Sequence, residues 1–209
     1  GTLTYTGNAD LTFTRGFIVD AGGGQMNITS AGKTLTLQTG AIVTTGTFTV
    51  GGAGNAAVSS VISGSGGFTK ANTGNLVLSS INSYSGDTTL SSGTLQVTTA
   101  AAIPSGTGKG NVFVNGTLDV NNLSLTLNGI SGSGTITNSQ GSPVTLTAGA
   151  NNASGNFTGV IQDGAGTLAL VKTGTGILTL GGANTYSGDT TIDSGTVKIG
   201  NSAAISSGA

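Results

Sequence analysis

The 209-residue chain contains no cysteine, histidine, tryptophan or glutamate, and only two prolines. Without cysteine and histidine, side chains cannot form disulfides, serine–histidine triads or the common zinc sites. The seven Asp and six Lys or Arg form no run, so no nucleic-acid partner is expected. No stretch approaches the roughly 18 apolar residues that a spanning helix needs. The chain is therefore predicted not to span a membrane.

Glycine is abundant, with 39 residues, yet a Gly-X-Y period is absent and apolar residues alternate regularly, which argues against both collagen and disorder. A short pattern recurs, in which glycine is followed by any residue, an apolar residue, any residue and an apolar residue. It begins at, or in degenerate form at, Gly1, Gly24, Gly46, Gly74, Gly93, Gly116, Gly134, Gly155, Gly176 and Gly195. The intervals between successive glycines cluster around roughly 22 residues, which is typical of the repeat length of a solenoid.

Alternating apolar residues predict strands buried on one face, and the glycine ahead of each strand is expected to supply the positive φ that a sharp corner needs. Helices are not expected, because glycine interrupts every segment. Each period has room for three short strands and three corners. The sequence therefore predicts an all-β, single-stranded parallel β-helix (β-solenoid) of about ten rungs of roughly 22 residues. Residues 1–209 are expected to form one domain, a rod on the order of 48 Å long at about 4.8 Å per rung.

A longer repeat is superimposed on the short one. Residues 70–106 align without gaps on residues 172–208, an offset of 102, and 20 of the 37 positions are identical. The shared centre reads Asn-Ser-Tyr-Ser-Gly-Asp-Thr-Thr in the first copy, at 82–89, and Asn-Thr-Tyr-Ser-Gly-Asp-Thr-Thr in the second, at 184–191. Identity at this level indicates an internal duplication.

The run from Lys172 to Val197, with its copy from Lys70, closely resembles the autotransporter-associated β-strand repeat, which occurs in passenger domains of bacterial autotransporters and related adhesins. The two copies cover about a third of the chain. The resemblance implies a right-handed β-helix, display at an outer membrane and a scaffold or adhesive role. Asp87 and Asp189 depart from the family pattern, which commonly has a second glycine at this position.

The repeat also supplies the candidate site, which is expected to be structural. Its residues are Tyr84, Gly86, Asp87 and Gly93, with their equivalents Tyr186, Gly188, Asp189 and Gly195. Gly86 and Gly188 are predicted to have positive φ in a corner, and each following Asp to close that corner by accepting from backbone amides. The two tyrosines could stack on sugars, but a ring beside a Ser-Gly turn is expected to fill the corner instead.

Carboxylates are the remaining candidates for chemistry, because a β-solenoid can cleave polysaccharide with acidic side chains in a cleft. The seven are Asp10, Asp20, Asp87, Asp119, Asp163, Asp189 and Asp193. Their spacing favours turn and surface positions, and Asp163-Gly164 is interpreted as a turn and not as part of a calcium-binding repeat. We expect no catalytic residues, metal or cofactor.

These observations predict a non-catalytic, extracellular structural or adhesive rod of a bacterial surface or secreted protein. The alternative is a β-helix that binds or cleaves polysaccharide. Ice binding is a weaker alternative: outward Thr pairs recur at Thr2/Thr4, Thr47/Thr49 and Thr135/Thr137, but Asn, Asp and Lys interrupt the same predicted face. A host, cell-surface or glycan ligand is not identified by the sequence. End-to-end self-association is expected, because neither terminal rung resembles a cap.

Overall fold

The structure, a computed structural model, describes residues 1–205, and these form β-strands without a helix. The strands of the first half are β1 (Thr2–Tyr5), β2 (Leu11–Phe13), β3 (Phe17–Val19), β4 (Gly24–Ile28), β5 (Thr34–Leu37), β6 (Ile42–Thr44), β7 (Phe48–Gly52), β8 (Asn55–Val58), β9 (Ile62–Gly64), β10 (Phe68–Lys70), β11 (Asn75–Leu78), β12 (Thr88–Leu90) and β13 (Thr94–Val97). Those of the second half are β14 (Val112–Val114), β15 (Thr117–Asp119), β16 (Leu125–Leu127), β17 (Ile130–Ser131), β18 (Thr135–Thr137), β19 (Val144–Ala148), β20 (Gly155–Phe157), β21 (Val160–Ile161), β22 (Leu168–Lys172), β23 (Ile177–Leu180), β24 (Thr190–Ile192) and β25 (Thr196–Ile199).

The strands stack in parallel on three faces of a coil. Face A contains β1, β4, β7, β10, β12, β14 and β17, and continues through a bridge between Gly132 and Phe157 into β20, β23 and β25. Face B contains β2, β5, β8, β11, β13, β15, β18 and β21, and face C contains β3, β6 and β9 and then β16, β19, β22 and β24. Ten stacked strands on face A make nine turns, close to the prediction. The predicted parallel β-solenoid is confirmed.

Alternation within each strand separates a single core from the surface. Inward side chains of successive turns stack directly, as Leu95 does on Leu118, and both are 1% exposed. Aromatic rings extend the same stacking through the first four turns, with centroid distances of 5.3 Å between Phe17 and Phe48 and 5.9 Å between Phe48 and Phe68. No single turn has a core of its own, so burial depends on neighbouring turns.

The strands that follow the glycine-initiated pattern lie on two faces of the coil, whereas the spacing of the glycines alone predicts that all of them lie on one face. Strands that follow Gly1, Gly24, Gly46, Gly155, Gly176 and Gly195 lie on face A, but those that follow Gly74, Gly93, Gly116 and Gly134 lie on face B. The longest interval between these glycines, from Gly46 to Gly74, therefore covers one full turn of the coil and the step from face A to face B. The number of residues in a turn also varies. The turn from Phe113 to its partner Ser131 is shorter than the turn from Gln25 to its partner Thr49.

The long repeat is rotated about the axis. Lys70 lies in β10 on face A, but its equivalent Lys172 lies in β22 on face C. The offset between the copies thus corresponds to four and two-thirds turns, in agreement with the predicted rung of roughly 22 residues. The same sequence is therefore compatible with two different starting positions, on face A and on face C. Residues 206–208 of the second copy, and residue 209, lie outside the described residues.

Glycines stack on one another at the corner between faces A and B. We call this set the glycine column: Gly54, Gly74, Gly93, Gly116, Gly134, Gly159 and Gly182. From Gly74 onward, a Cβ built on each member would lie 1.8–2.7 Å from the carbonyl oxygen of the preceding one. Only Gly93 of the seven has positive φ. The corner therefore requires glycine mainly because backbones of adjacent turns approach closely, and not, as expected, because of φ.

Candidate functional site: the repeated motif

The tyrosines of the repeat point into the core. Tyr84 and Tyr186 are 1% and 0% exposed, and their hydroxyls hydrogen-bond to the Oγ1 of Thr88 at 2.6 Å and of Thr190 at 2.7 Å. Burial raises the pKa of both phenols, and the bonds to the threonines only partly oppose it. Neither ring is accessible to a sugar, so both tyrosines fill the core and do not stack on a ligand.

The prediction of positive φ at Gly86 and Gly188 is wrong. Neither is among the glycines with positive φ, whereas Gly93 and Gly195 have φ values of 70° and 73°. Glycine is required at the first pair because a Cβ on Gly86 would lie 2.6 Å from the backbone nitrogen of Gly67. The left-handed corner thus lies seven residues further along each copy.

Two buried lysines, which sequence reasoning missed, stabilise those left-handed corners. Lys70 and Lys172 are 2% and 1% exposed and occupy inward positions. The Lys70 ammonium donates to the carbonyl oxygens of Ala71 (2.7 Å), Asn72 (2.8 Å) and Ser92 (3.5 Å), and Lys172 makes three equivalent bonds at 2.5, 2.8 and 3.3 Å. Burial lowers the pKa of Lys70 to about 8 and also lowers that of Lys172. Lys70 therefore stays largely protonated at neutral pH.

Buried asparagines connect successive turns. The Ile62 N–H donates to Asn82 Oδ1 at 2.8 Å, and Asn82 Nδ2 donates to the Ala102 carbonyl oxygen at 2.8 Å. Asn184 in the second copy makes the same two kinds of bond at 2.8 and 2.6 Å. One side chain thus satisfies backbone groups of the turn before and the turn after. The signal for both Lys and Asn was available in the sequence, since each is identical in the two copies.

Asp87 accepts from a backbone amide, but that amide lies in the next turn and not in the corner that Asp87 was predicted to close. Asp87 Oδ1 accepts from the backbone N–H of Asn111 in the next turn at 2.8 Å, and Asp10 Oδ1 accepts similarly from Thr34 at 2.8 Å. No hydrogen bond to the Asp189 carboxylate occurs within residues 1–205, so the role of Asp189 stays a prediction. Asp163 also forms a turn: Oδ1 accepts from the Leu168 N–H at 2.7 Å.

Asp119 is a buried residue and not the surface carboxylate that the spacing predicts. It is 5% exposed, and its oxygens accept from Gln96 Nε2 (2.7 Å), the Asn121 N–H (3.0 Å), and the N–H and Oγ of Ser139 (3.1 and 2.7 Å). Burial alone would raise the pKa of Asp119, but these hydrogen bonds outweigh it and lower the pKa below its usual range.

The polar side chains of the motif hydrogen-bond successive turns to one another and thereby form a structural scaffold. Asp87 and Asp189 are separated by four and two-thirds turns, about 22 Å along the axis at about 4.8 Å per turn, too far to act on one glycosidic bond. Within residues 1–205 no group of three or more His, Cys, Asp or Glu could hold a metal ion.

The outward threonines do not form the single array that ice binding would use. Thr2/Thr4 and Thr49 lie on face A, whereas Thr135/Thr137 lie on face B. On face A, Phe113 follows Thr89 in the outward row. The hydroxyl pairs are therefore split between two faces.

Comparison with known proteins identifies the repeat. Residues 68–97 and 170–199 match the family described as the passenger-associated-transport-repeat. The chain is also 34% identical over 202 residues, 95% of its length, to the adhesin BmaC autotransporter of Brucella suis biovar 1 (strain 1330), and it spans about 5% of the length of that protein. No solved structure matches. No helix within residues 1–205 has the length and hydropathy that crossing a membrane would require.

Proposed function

Because the chain carries two copies of the passenger-associated-transport repeat of bacterial autotransporters, we propose that it is a non-catalytic, adhesive rod segment displayed at the bacterial surface. The observation that carries this proposal is the repeat itself, together with the similarity of nearly the whole chain to an adhesin autotransporter. The similarity covers a small part of that adhesin, so the adhesive role is proposed for this segment by analogy.

The use of the polar side chains supports a structural role. Asp10, Asp87, Asp119 and Asp163 accept hydrogen bonds from backbone or side-chain groups one turn or less away, and the buried lysines donate to corner carbonyls. Groups engaged in this way stabilise the stacking of turns. A β-helix that cleaves polysaccharide needs carboxylates arranged around a substrate bond, whereas these four carboxylates accept hydrogen bonds within and between turns.

A bead-attachment assay tests the adhesive part. Microspheres coated with the chain should attach to surfaces presenting glycans or matrix proteins, and microspheres coated with heat-unfolded chain should not. A viscosity assay on pectin and alginate tests the non-catalytic part, with no decrease expected. Attachment by neither preparation would contradict adhesion, and turnover of a polymer would support the alternative of a polysaccharide-cleaving β-helix.

A further inference from the structure

A cleft on face C lies where that face lacks strands. Between β9 and β16 the face is formed by irregular segments. The backbone N–H groups of Ser83 and Ser85 still donate to the carbonyl oxygens of Ile62 and Gly64 in the preceding turn, but these residues do not form a strand. The next turn extends outward as residues 104–110 before β14 begins. The resulting cleft has a volume of about 330 Å³, which lies within the range of small-ligand sites.

The wall of the cleft is held rigidly by Asn128. This residue is 0% exposed, and its Oδ1 accepts from the Gly106 N–H at 2.7 Å while Nδ2 donates to the carbonyl oxygens of Lys109 (2.9 Å) and Gly110 (2.8 Å). Gly106 and Gly108 have positive φ in open space, so the loop turns sharply and presents Lys109 to the cleft. A preorganised loop lowers the entropic cost of binding.

The cleft combines one cationic side chain with hydroxyl groups and apolar side chains. Lys109 is its one cation, and no carboxylate occurs among the described residues that line it. Within residues 1–205 the ammonium donates one hydrogen bond, to the Ser83 carbonyl oxygen at 2.6 Å, which leaves two of its three N–H donors for a ligand. Ser83, Ser105, Ser124 and Thr126 also line the cleft, and Ala100 and Ala101 provide an apolar wall, whereas Ile103 and Pro104 are themselves buried.

We propose that this cleft binds a uronic acid residue of a polysaccharide, with the sugar carboxylate on Lys109, the sugar hydroxyls on the Ser and Thr side chains and a C–H face of the ring on the apolar wall. An inorganic anion would not use the apolar wall, and a neutral sugar would not use the cation. The inference rests on the proposed adhesive function and deepens it, since it names a ligand class for it.

Calorimetric titration with a galacturonic acid trimer and with the neutral galactose trimer tests the proposal. We expect binding of the acidic trimer alone, weakened by added salt, and an affinity at least about tenfold lower for Lys109→Gln, the loss of one charge-assisted contact at about 1.4 kcal/mol per tenfold. Lys198→Gln is the matched control, because Lys198 lines a separate shallow groove on face A. Thr126→Tyr, which fills the cleft but retains Lys109, should also abolish binding.

Three results would overturn the inference: no binding of the acidic trimer, equal binding of both trimers, or equal losses with Lys109→Gln and Lys198→Gln. Thermal midpoints of all variants establish that each is folded. The bead assay separates this inference from the proposed function, because attachment that persists in Lys109→Gln and Thr126→Tyr would retain the adhesive role and reject the cleft as its site.

Discussion

At the scale of single residues, Asn82 connects successive turns, because its side chain hydrogen-bonds to the turn before it and to the turn after it. Asn82→Ala should leave the Ile62 N–H and the Ala102 carbonyl buried without partners. Since each such group costs about 1–3 kcal/mol, we expect a loss of roughly 2–4 kcal/mol in the free energy of unfolding, measured by urea denaturation. Asn75→Ala, at an exposed position on face B, is the control and should change little. Equal midpoints for both variants would contradict the role of Asn82.

Asp119 predicts a pH dependence. Its folded-state pKa lies below the unfolded value of 3.8, so the ionised carboxylate contributes stability above about pH 4, and this contribution is lost as pH falls through the folded-state pKa. Asp119→Asn should therefore be less stable than the parent at pH 7, by about 1–3 kcal/mol, and the difference should shrink in acid. Asp193→Asn, at an exposed position, controls for net charge. A difference that stays constant down to the acid limit would mean that ionisation of Asp119 is not the cause.

At the scale of the structural element, the glycine column sets how closely successive turns approach. A Cβ on Gly116 would lie 2.5 Å from the Gly93 carbonyl oxygen and 2.8 Å from the Ser92 carbonyl carbon. Both atoms belong to the backbone, so the turns must move apart to make room for the Cβ. We therefore expect Gly116→Ala to lower the free energy of unfolding by about 1–3 kcal/mol. The measurement is the thermal midpoint followed by circular dichroism.

Gly141→Ala is the control for that change, because a Cβ on Gly141 would meet no atom within 4 Å and its φ is not positive. It should be neutral, or stabilising by about 0.4–1 kcal/mol through the unfolded state. If the two alanine variants unfold at the same temperature, close approach of the backbones does not explain the column.

Periodicity allowed the solenoid and its rung length to be predicted, because stacked apolar positions recur at a regular interval in the sequence. The rotation of the long repeat could not be predicted in this way, since alternation looks the same on all three faces. Lys70 and Lys172 could not be predicted from apolar periodicity alone, because an inward lysine interrupts the apolar pattern while its ammonium reaches the corner carbonyls. The cleft depends on an irregular segment, for which no period exists.

At the scale of the whole rod, residues 1–205 taken by themselves leave core positions exposed at both ends. Leu3 and Leu11 are 51% and 41% exposed, although Met26 and Leu35, their partners in the next turn, are buried. At the other end Ile192 and Ile199 are 52% and 48% exposed. On face A, β1 and β25 share the glycine-initiated pattern, so β1 of one copy could continue the ladder from β25 of another.

We therefore expect isolated copies of this 209-residue segment to associate end to end, because pairing would bury these side chains and satisfy open strand edges. The contact joins different surfaces and does not close on itself, so the weight-average mass from light scattering should rise steadily with concentration. Ile199→Lys should suppress this rise, since it places a charge in the contact. Ile81→Lys, at a 68% exposed position on the side of the rod, should leave the rise unchanged. If Ile81→Lys suppresses it instead, the rods associate side by side. A strictly monomeric chain with both terminal turns protected against hydrogen exchange would rule out either arrangement.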